Sequence, residues 1–528
     1  MLLTEKDGVF VLQCKYEESA TPREIGFSWN EEVKSGWSTK LGSVACILIQ
    51  HADERTKAIL EPFLSECRKR VSGSYSESSE FNPPQPEGLS FLPFQRAGIE
   101  QMVQRGNALL TDEMGLGKTL QAIGLHNVIN PSATLVICPA SLKLNWKKEF
   151  LKWTTNHASP QVVFGMNSFE KSGVVIINYD LLRKRLEDLS SAPWDLIIAD
   201  ESHVVRNSDA HHSRAFLKLK ATKKVCMTGT PVINRPIELW NVLKFLDPTR
   251  WNNWKAYVDT YCNARRTRYG WDVLGSSNLE KLSKILRSTI MIRRTKKQVL
   301  KDLPDKFRQI IEIPCQNDDL VTSELNEYAS WRHVRAEYLV ALRRARRTRT
   351  EEEHSNELSA LVQRVKIAFS KLSDARHKTA LYKVPSVIGH LKSAIEQGKI
   401  VLFAHHLDVI EAIRNEFKNE SVVLVGGMSA KEKDESVTRF QNDESVKLFI
   451  GGLMAAGQGI TLTASSTVVF AELDWTPAVM SQCEDRCYRI GTKFNVLVQH
   501  IVLEGSLDAS MAKKLVAKQR IINRIMAD

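Results

Sequence analysis

Nine short apolar runs, falling into two series, limit what this chain can fold into. The first series is "ATLVICPA", "GVVIINYD", "WDLIIAD" and "KKVCMTGT", between positions 133 and 230. The second is "KIVLFAHH", "SVVLVGG", "VKLFIGG", "STVVFAE" and "VLVQHIV", between 399 and 502. Each is rich in β-formers, continuous rather than alternating, and ends in polar or turn residues. That is the pattern of strands buried on both faces of a parallel sheet, whose following loops carry the chemistry. Between the series, about 250–380 is charged and helix-forming. With 528 residues, too many for one core, two α/β blocks joined by a helical insert are expected.

The first eighty residues differ. "GVFVLQCKY", "GFSWN", "GWSTK" and "SVACILIQ" read as short strands, and "DERTKAILEPFLSECRKRV" as a helix. The stretch "SGSYSESSEFNPPQPEG" (72–88) has linker composition, so residues 1–80 are expected to form a small α+β module. Phe27, Trp29 and Trp37 are read as one face of a hairpin there, serving either as the module's core or as a base-stacking platform.

Composition narrows the class. At 43% hydrophobic and 25% charged, with no run able to span a bilayer and no basic-then-apolar start, an intracellular protein without a membrane partner is expected. The net charge of +12 favours a polyanionic partner. The nine cysteines are scattered without a C-x-x-C pair, which reads as free thiols.

The stretch "TDEMGLGKTLQA" (111–122) resolves the chemistry. A phosphate-binding loop works because backbone N–H groups converge on phosphate oxygens at a helix N-terminus. Gly115 and Gly117 allow close backbone approach, Lys118 can reach the β and γ phosphates, and the Thr119 hydroxyl can ligate Mg²⁺. The glycine that usually opens such a loop is replaced by Asp112, a loss the backbone cradle tolerates. The whole loop, with Glu113, Met114 and Leu116, is assigned to nucleotide binding. In "WDLIIADESH", Asp200 and Glu201 follow an apolar strand directly. An aspartate there can hold Mg²⁺ and the adjacent glutamate can orient the attacking water.

"DEMGLGKT", "DESH" and "TGTP" (228–231) together resemble motifs I, II and III of the superfamily-two helicase-like ATPases, and the opening Asp matches the SWI/SNF-type branch. "FLPFQRAGIEQM", "LVICPASLKLNW", "LWNVLKFLDP", "MIRRTKKQVLKDLP", "VLFAHHLDVIEAI", "GGLMAAGQGITLTAS" and "QCEDRCYRIGT" extend the resemblance over roughly 90–515. "FAHH" and "KVPSVIGHLKSAIEQGK" are similar to the HepA-related annealing helicases, which act on branched DNA.

The resemblance implies two RecA-like parallel-sheet lobes, at 89–248 and 381–528, with helical insertions and linker at 249–380. It implies ATP and Mg²⁺ as cofactors and double-stranded or branched DNA as partner. Gln95 falls in the adenine-reading stretch, and Gly457 and Gln482 in the nucleotide-contacting motifs of the second lobe. Arg489 falls at the position that charges the γ-phosphate transition state, with Arg486 as its coupling partner. If that stretch is helical, the two arginines share a face. Tyr488 and Thr492 depart from the family's usual His and Gln, which bears on coupling rather than on hydrolysis. His203, Thr228, Thr230, Ser141, Gly459 and Thr461 are implied in coupling and DNA contact. For the basic runs "ARRTRYGW" (264–271) and "RRARRTR" (343–349), with Arg332 and Arg335 ahead of the latter, DNA contact and a solvated charged helix remain open alternatives.

The expectation is a monomeric, DNA-stimulated ATPase that moves on duplex DNA and rewinds branched or forked substrates, placed with the DNA of a cytoplasm or nucleoid rather than a nucleus. A protein-displacing or defence-associated motor is the alternative among enzymes. An ATP-gated DNA clamp is the alternative of another class.

Overall fold

The computed structural model describes residues 1–15, 22, 27–30, 36–156, 159–208, 210–229, 236–267, 270–273, 275–345, 351–456, 460–492 and 494–513. Thr230, Gly457 and Gly459 lie outside them, as do the side chains of 343–349. The chain divides into two compact units: Met1–Arg266 with Trp271–Lys301, and Thr267–Gly270 with Asp302–Asp528.

The N-terminal strands β1 (Leu2–Lys6), β2 (Val9–Gln13), β3 (Ser28–Asn30) and β4 (Gly36–Thr39) pair antiparallel in the order β1-β2-β4-β3. The helix Glu54–Ser74 follows, started by Asp53, whose side chain accepts from Thr56 N at 2.7 Å. Phe27 and Trp37 are buried in this module's core with Leu3, Leu12 and Leu60. Trp29 stays 62% exposed, its ring edge-on to Trp37, so the three aromatics divide between core and surface. The module belongs to the first unit. Arg250 Nη2 donates to Ser43 Oγ at 2.8 Å and Arg287 Nη1 to Ser74 Oγ at 2.9 Å.

The main sheet of this unit is built from β5 (Ala108–Leu110), β6 (Ala133–Cys138), β7 (Gln161–Val162), β8 (Gly173–Asn178), β9 (Leu196–Ala199) and β10 (Lys223–Met227). A two-stranded ribbon, β11 (Arg265–Thr267) and β12 (Gly270–Asp272), precedes the seventh strand, β13 (Met291–Ile292). The order is β13-β5-β10-β9-β6-β8-β7 and every pair is parallel. β6 and β9 are buried at every residue, as their continuous apolar sequence requires. Because all strands run the same way, the loops after β5, β6, β9 and β10 emerge along one edge of the sheet. That edge receives the phosphate-binding loop, Ser141, Asp200 with Glu201, and Thr228.

The second unit repeats the scheme. β14 (Lys306–Ile313), β15 (Ile400–Ala404), β16 (Ser421–Leu424), β17 (Leu448–Gly452), β18 (Thr467–Phe470) and β19 (Val496–Leu503) form an all-parallel sheet in the order β14-β19-β18-β15-β17-β16. The expected fold class, two parallel α/β sheets with helical insertions and a small α+β module, is what the chain adopts. The helical stretch between the two apolar series also supplies an edge strand to each sheet, β13 and β14. Neither belongs to the continuous apolar runs, because β13 is two residues long and β14 alternates between half-buried and exposed positions.

Helices Asp318–Ala345 and Glu351–Ala394 pack side by side in the second unit. The latter is anchored to the sheet by Lys383, 1% exposed. Its Nζ donates to Ala471 O at 2.8 Å and Ile501 O at 3.1 Å, and faces Asp508 at 3.4 Å.

Candidate nucleotide site

The phosphate-binding loop leaves β5 and enters the helix Lys118–Ile129 through two glycines with positive φ, Gly115 at 85° and Gly117 at 73°. A side chain at Gly117 would be strained and would also strike the Gln95 amide. Gln95 is buried, accepts from Leu92 N at 3.0 Å to start the helix Pro93–Arg105, and donates to Leu116 O at 3.4 Å. In this structure it therefore braces the loop from behind. Lys118 Nζ donates to Asp112 O at 2.8 Å and to Glu113 O at 3.4 Å. Burial pushes its ammonium down, while Glu201, Asp112 and Asp200 push it back up. Gly229 follows Thr228 so closely on this loop that a Cβ there would strike Met114 and lie 3.1 Å from Lys118 Nζ. Thr119 is the first-turn hydroxyl of the helix and is half-buried.

Asp112 does not face the cradle. Its carboxylate is buried and accepts from Arg294 N at 3.0 Å, Arg294 Nε at 3.1 Å, Arg294 Nη2, and Gln121 Nε2 at 3.0 Å. Arg294 is itself fully buried and also donates to Phe94 O. Glu113 follows the same route, accepting from Lys296 N at 2.7 Å. Both acids that open the loop are thus fastened to the segment after β13. Of the two, only backbone is left to the loop's concave side.

After β9, Asp200 and Glu201 turn the chain sharply, and Glu201 sits at φ 49°, a left-handed conformation rare outside glycine. Asp200 is 8% exposed and takes a hydrogen bond from Trp146 Nε1 at 2.9 Å, while Tyr179 Oη donates to its carbonyl at 2.7 Å. Burial and the neighbouring Glu201 push its carboxyl up to about 6, against the pull of Trp146 and Lys118. His203 Nδ1 lies 3.2 Å from Glu201 Oε2 and 3.3 Å from Thr228 Oγ1, so it spans the loops after β9 and β10. Ser141 is exposed just after β6.

Lys118, Asp200, Glu201, His203 and Thr228 are brought together within one unit. The sequence reading gave no role to Trp146, Tyr179, Gln121 or Arg294. For Trp146 a signal existed: an indole N–H on a buried helix face needs an acceptor.

In the second unit the helix Pro477–Glu484 ends two residues before Arg486, the first of the two arginines expected to share a helical face. Glu484 is buried and locked by Lys306 Nζ at 2.9 Å and Arg308 Nε at 2.9 Å, and Asp485 lies 3.3 Å from Lys306. Burial raises the Glu484 carboxyl, but Lys306 and Arg308 overcome it and bring it to about 2. This pair of strand cations pins the chain as it leaves the helix, and turns carry Arg486 and Arg489 instead. They still converge: Arg486 Nη1 at 3.3 Å and Arg489 Nη1 at 3.2 Å both donate to Ile460 O. Arg489 Nη1 also reaches Thr461 Oγ1 at 2.8 Å, and Arg486 Nε donates to Gln482 O at 2.9 Å.

Comparison with known proteins identifies the family. The SNF2-related domain matches residues 65–367 and the helicase conserved C-terminal domain matches 383–491. The Homo sapiens protein named DNA annealing helicase and endonuclease ZRANB3 is 32% identical over 453 residues, covering 81% of this chain and 40% of its own length. A Bos taurus SWI/SNF-related matrix-associated actin-dependent regulator of chromatin subfamily A-like protein 1 is 32% identical over 432 residues, covering 79% of this chain and 43% of its own. The chain thus spans about two fifths of the length of these curated relatives. The solved Sulfolobus solfataricus SWI2/SNF2 ATPase core in complex with dsDNA covers 85% of this chain and 95% of its own, at 24% identity and a TM-score of 0.40. With more than half of its length matched by one domain and the adjoining C-terminal domain following in order, this chain belongs to the SNF2-related family of helicase-like proteins.

Proposed function

We propose that this protein is a DNA-stimulated ATP hydrolase that translocates on duplex DNA and rewinds branched or forked DNA. The observation that supports this most is the meeting, at one sheet edge, of Lys118 with Asp200 and Glu201. The three are close enough that the carboxylates hold up the lysine's charge and Glu201 raises Asp200. A carboxylate pushed up to about 6 beside a second acid is a place where a divalent cation is favoured, so the donor set fits Mg²⁺. Bound Mg²⁺ would neutralise charge on the β and γ phosphates.

The chain's own residues do the rest. Backbone N–H groups from Gly115 to Thr119 cradle the phosphates and Lys118 neutralises them. The Thr119 hydroxyl and Asp200 hold the metal, and Glu201 orients the attacking water. Arg489 is assigned the charge that stabilises the transition state, with Arg486 beside it. His203, hydrogen-bonded towards Thr228, reports the state of the Glu201 carboxylate to the loop after β10. Ser141 and Thr461 are assigned to phosphates of the DNA backbone. The printed name of one relative, DNA annealing helicase and endonuclease, supports rewinding of DNA strands as the activity. We further propose that the protein works as a monomer, in association with cellular DNA. The relatives named here are animal proteins and lend no weight to a nucleoid over a nucleus.

The test is ATP turnover at fixed salt with no nucleic acid, single strand, plain duplex and forked duplex at equal phosphate concentration. Fork stimulation above plain duplex supports rewinding. Equal stimulation by any duplex favours a general translocase, and no stimulation by DNA overturns the motor.

A further inference from the structure

Away from the nucleotide site, the helix Asp318–Ala345 carries Tyr328, Trp331, Arg332 and Arg335 at i, i+3, i+4 and i+7, one stripe of its surface. Aromatic rings alternating with arginines are not the composition of a merely solvated face. Phe369, from the neighbouring helix, and Trp475, from the loop after β18, complete a cluster within the second unit. Tyr328 lies near-parallel to Trp331 (6.1 Å, 25°) and to Trp475 (5.9 Å, 20°). Phe369 is 46% and Trp475 37% exposed, whereas Tyr328 and Trp331 are half-buried. Arg332 and Arg335 are exposed, with guanidinium carbons 5.7 Å from the Tyr328 ring centre and 5.1 Å from that of Trp331.

The cluster is held in place beforehand. Arg376 lies over the Trp475 ring at 4.6 Å while donating to Leu473 O at 2.7 Å and Asp508 at 2.9 Å. From 328 to 349 the sequence carries seven arginines (332, 335, 343, 344, 346, 347, 349) against one acid, Glu337. That acid is already paired with Arg364 at 3.2 Å.

We infer that this aromatic–arginine face stacks the unpaired bases of a single-stranded DNA segment while its arginines hold the adjoining phosphates. Ring faces recognise bases only where those bases are out of the duplex, and guanidinium groups beside them match a phosphate backbone. The inference rests on DNA being the partner and adds the place where an unpaired arm is gripped.

The test uses the full chain without ATP and measures binding by fluorescence anisotropy to a single strand, an abasic strand of equal length, a plain duplex and a forked duplex. Trp331→Ala is expected to weaken single-strand and fork binding about tenfold while leaving duplex and abasic binding unchanged. Trp331→Phe is expected to restore most of the loss, which separates stacking from a failure to fold. Arg335→Gln should reduce the salt dependence of single-strand binding by about one phosphate contact. Equal losses on duplex and single strand would overturn the inference in favour of a backbone site. Unchanged single-strand affinity in Trp331→Ala would also overturn it, leaving a protein-facing or packing patch. Failure of the motor reading would instead appear as a wild-type chain whose ATP turnover no DNA stimulates.

Discussion

Asp112 and Arg294, 182 positions apart, form an ion pair in which neither side chain is exposed to solvent. The residue standing where a phosphate-binding loop usually has glycine is therefore a tether. It ties the start of the loop to the chain just after β13, seven residues before the first unit ends at Lys301. The loop's conformation and that of the segment after β13 share one set of hydrogen bonds.

Restoring glycine at that position should harm the protein. Asp112→Gly leaves Arg294 buried with its main acceptor gone, a loss of about 3–5 kcal/mol. Denaturant unfolding checks this. The double variant Asp112→Leu/Arg294→Met should cost much less than the sum of the two single changes, because no unpaired charge remains. A neutral Asp112→Gly would show that the tether carries no stability.

Glu201→Gln should keep ATP affinity within a few-fold and lower turnover by about a hundredfold or more, since it removes the group that orients water. Nucleotide binding and single-turnover hydrolysis measure the two effects separately. Near wild-type hydrolysis would reassign the water to another residue.

Trp146→Phe removes the donor that favours the charged form of Asp200. Asp200 must be ionised to hold a cation, so the apparent affinity for Mg²⁺ falls as pH drops through about 6. Losing the indole N–H should move that acid limb up by about one pH unit. The stability sign is opposite: with the folded value raised above 3.8, the contribution from Asp200 is present at low pH and lost as pH rises through about 6. An unchanged acid limb in the pH profile of Mg²⁺ affinity would mean that Asp200 does not set it.

His500 lies fully buried in β19, stacked on Phe470 at 5.2 Å, with no hydrogen-bond partner for either ring nitrogen among the described residues. Burial lowers it from 6.5 to about 4, with Glu484 opposing and Arg308 adding to the shift. Its folded value is depressed, so stability is fully present above 6.5 and is lost as pH falls towards 4, by about 3 kcal/mol. His500→Leu should flatten that part of the pH–stability curve, as read by thermal unfolding between pH 4 and 7. A curve that stays as steep would place the acid sensitivity elsewhere.

What sequence alone determined is what local covalent structure and hydrophobic pattern decide. Continuous apolar runs specify buried parallel strands, so both sheets were legible apart from three edge strands: β7 and β13, of two residues each, and β14, which is no continuous apolar run. Gly115 and Gly117 specify the turn of the phosphate-binding loop, because their φ values are ones that other residues strain to adopt. Asp200 and Glu201 follow from their place at the end of a buried strand. Tertiary structure decided where side chains point when their partner is far away in sequence. Asp112 turns from the cradle because Arg294 waits for it across 182 residues. The helix before Arg486 stops at Glu484 because Lys306 and Arg308, on another strand, hold that carboxylate. Trp331 and Trp475 meet because two helices and a strand-end loop pack together, which no helical period in either segment could announce. A buried charge must find its counter-charge wherever the fold supplies one, and that search is invisible until the chain has packed.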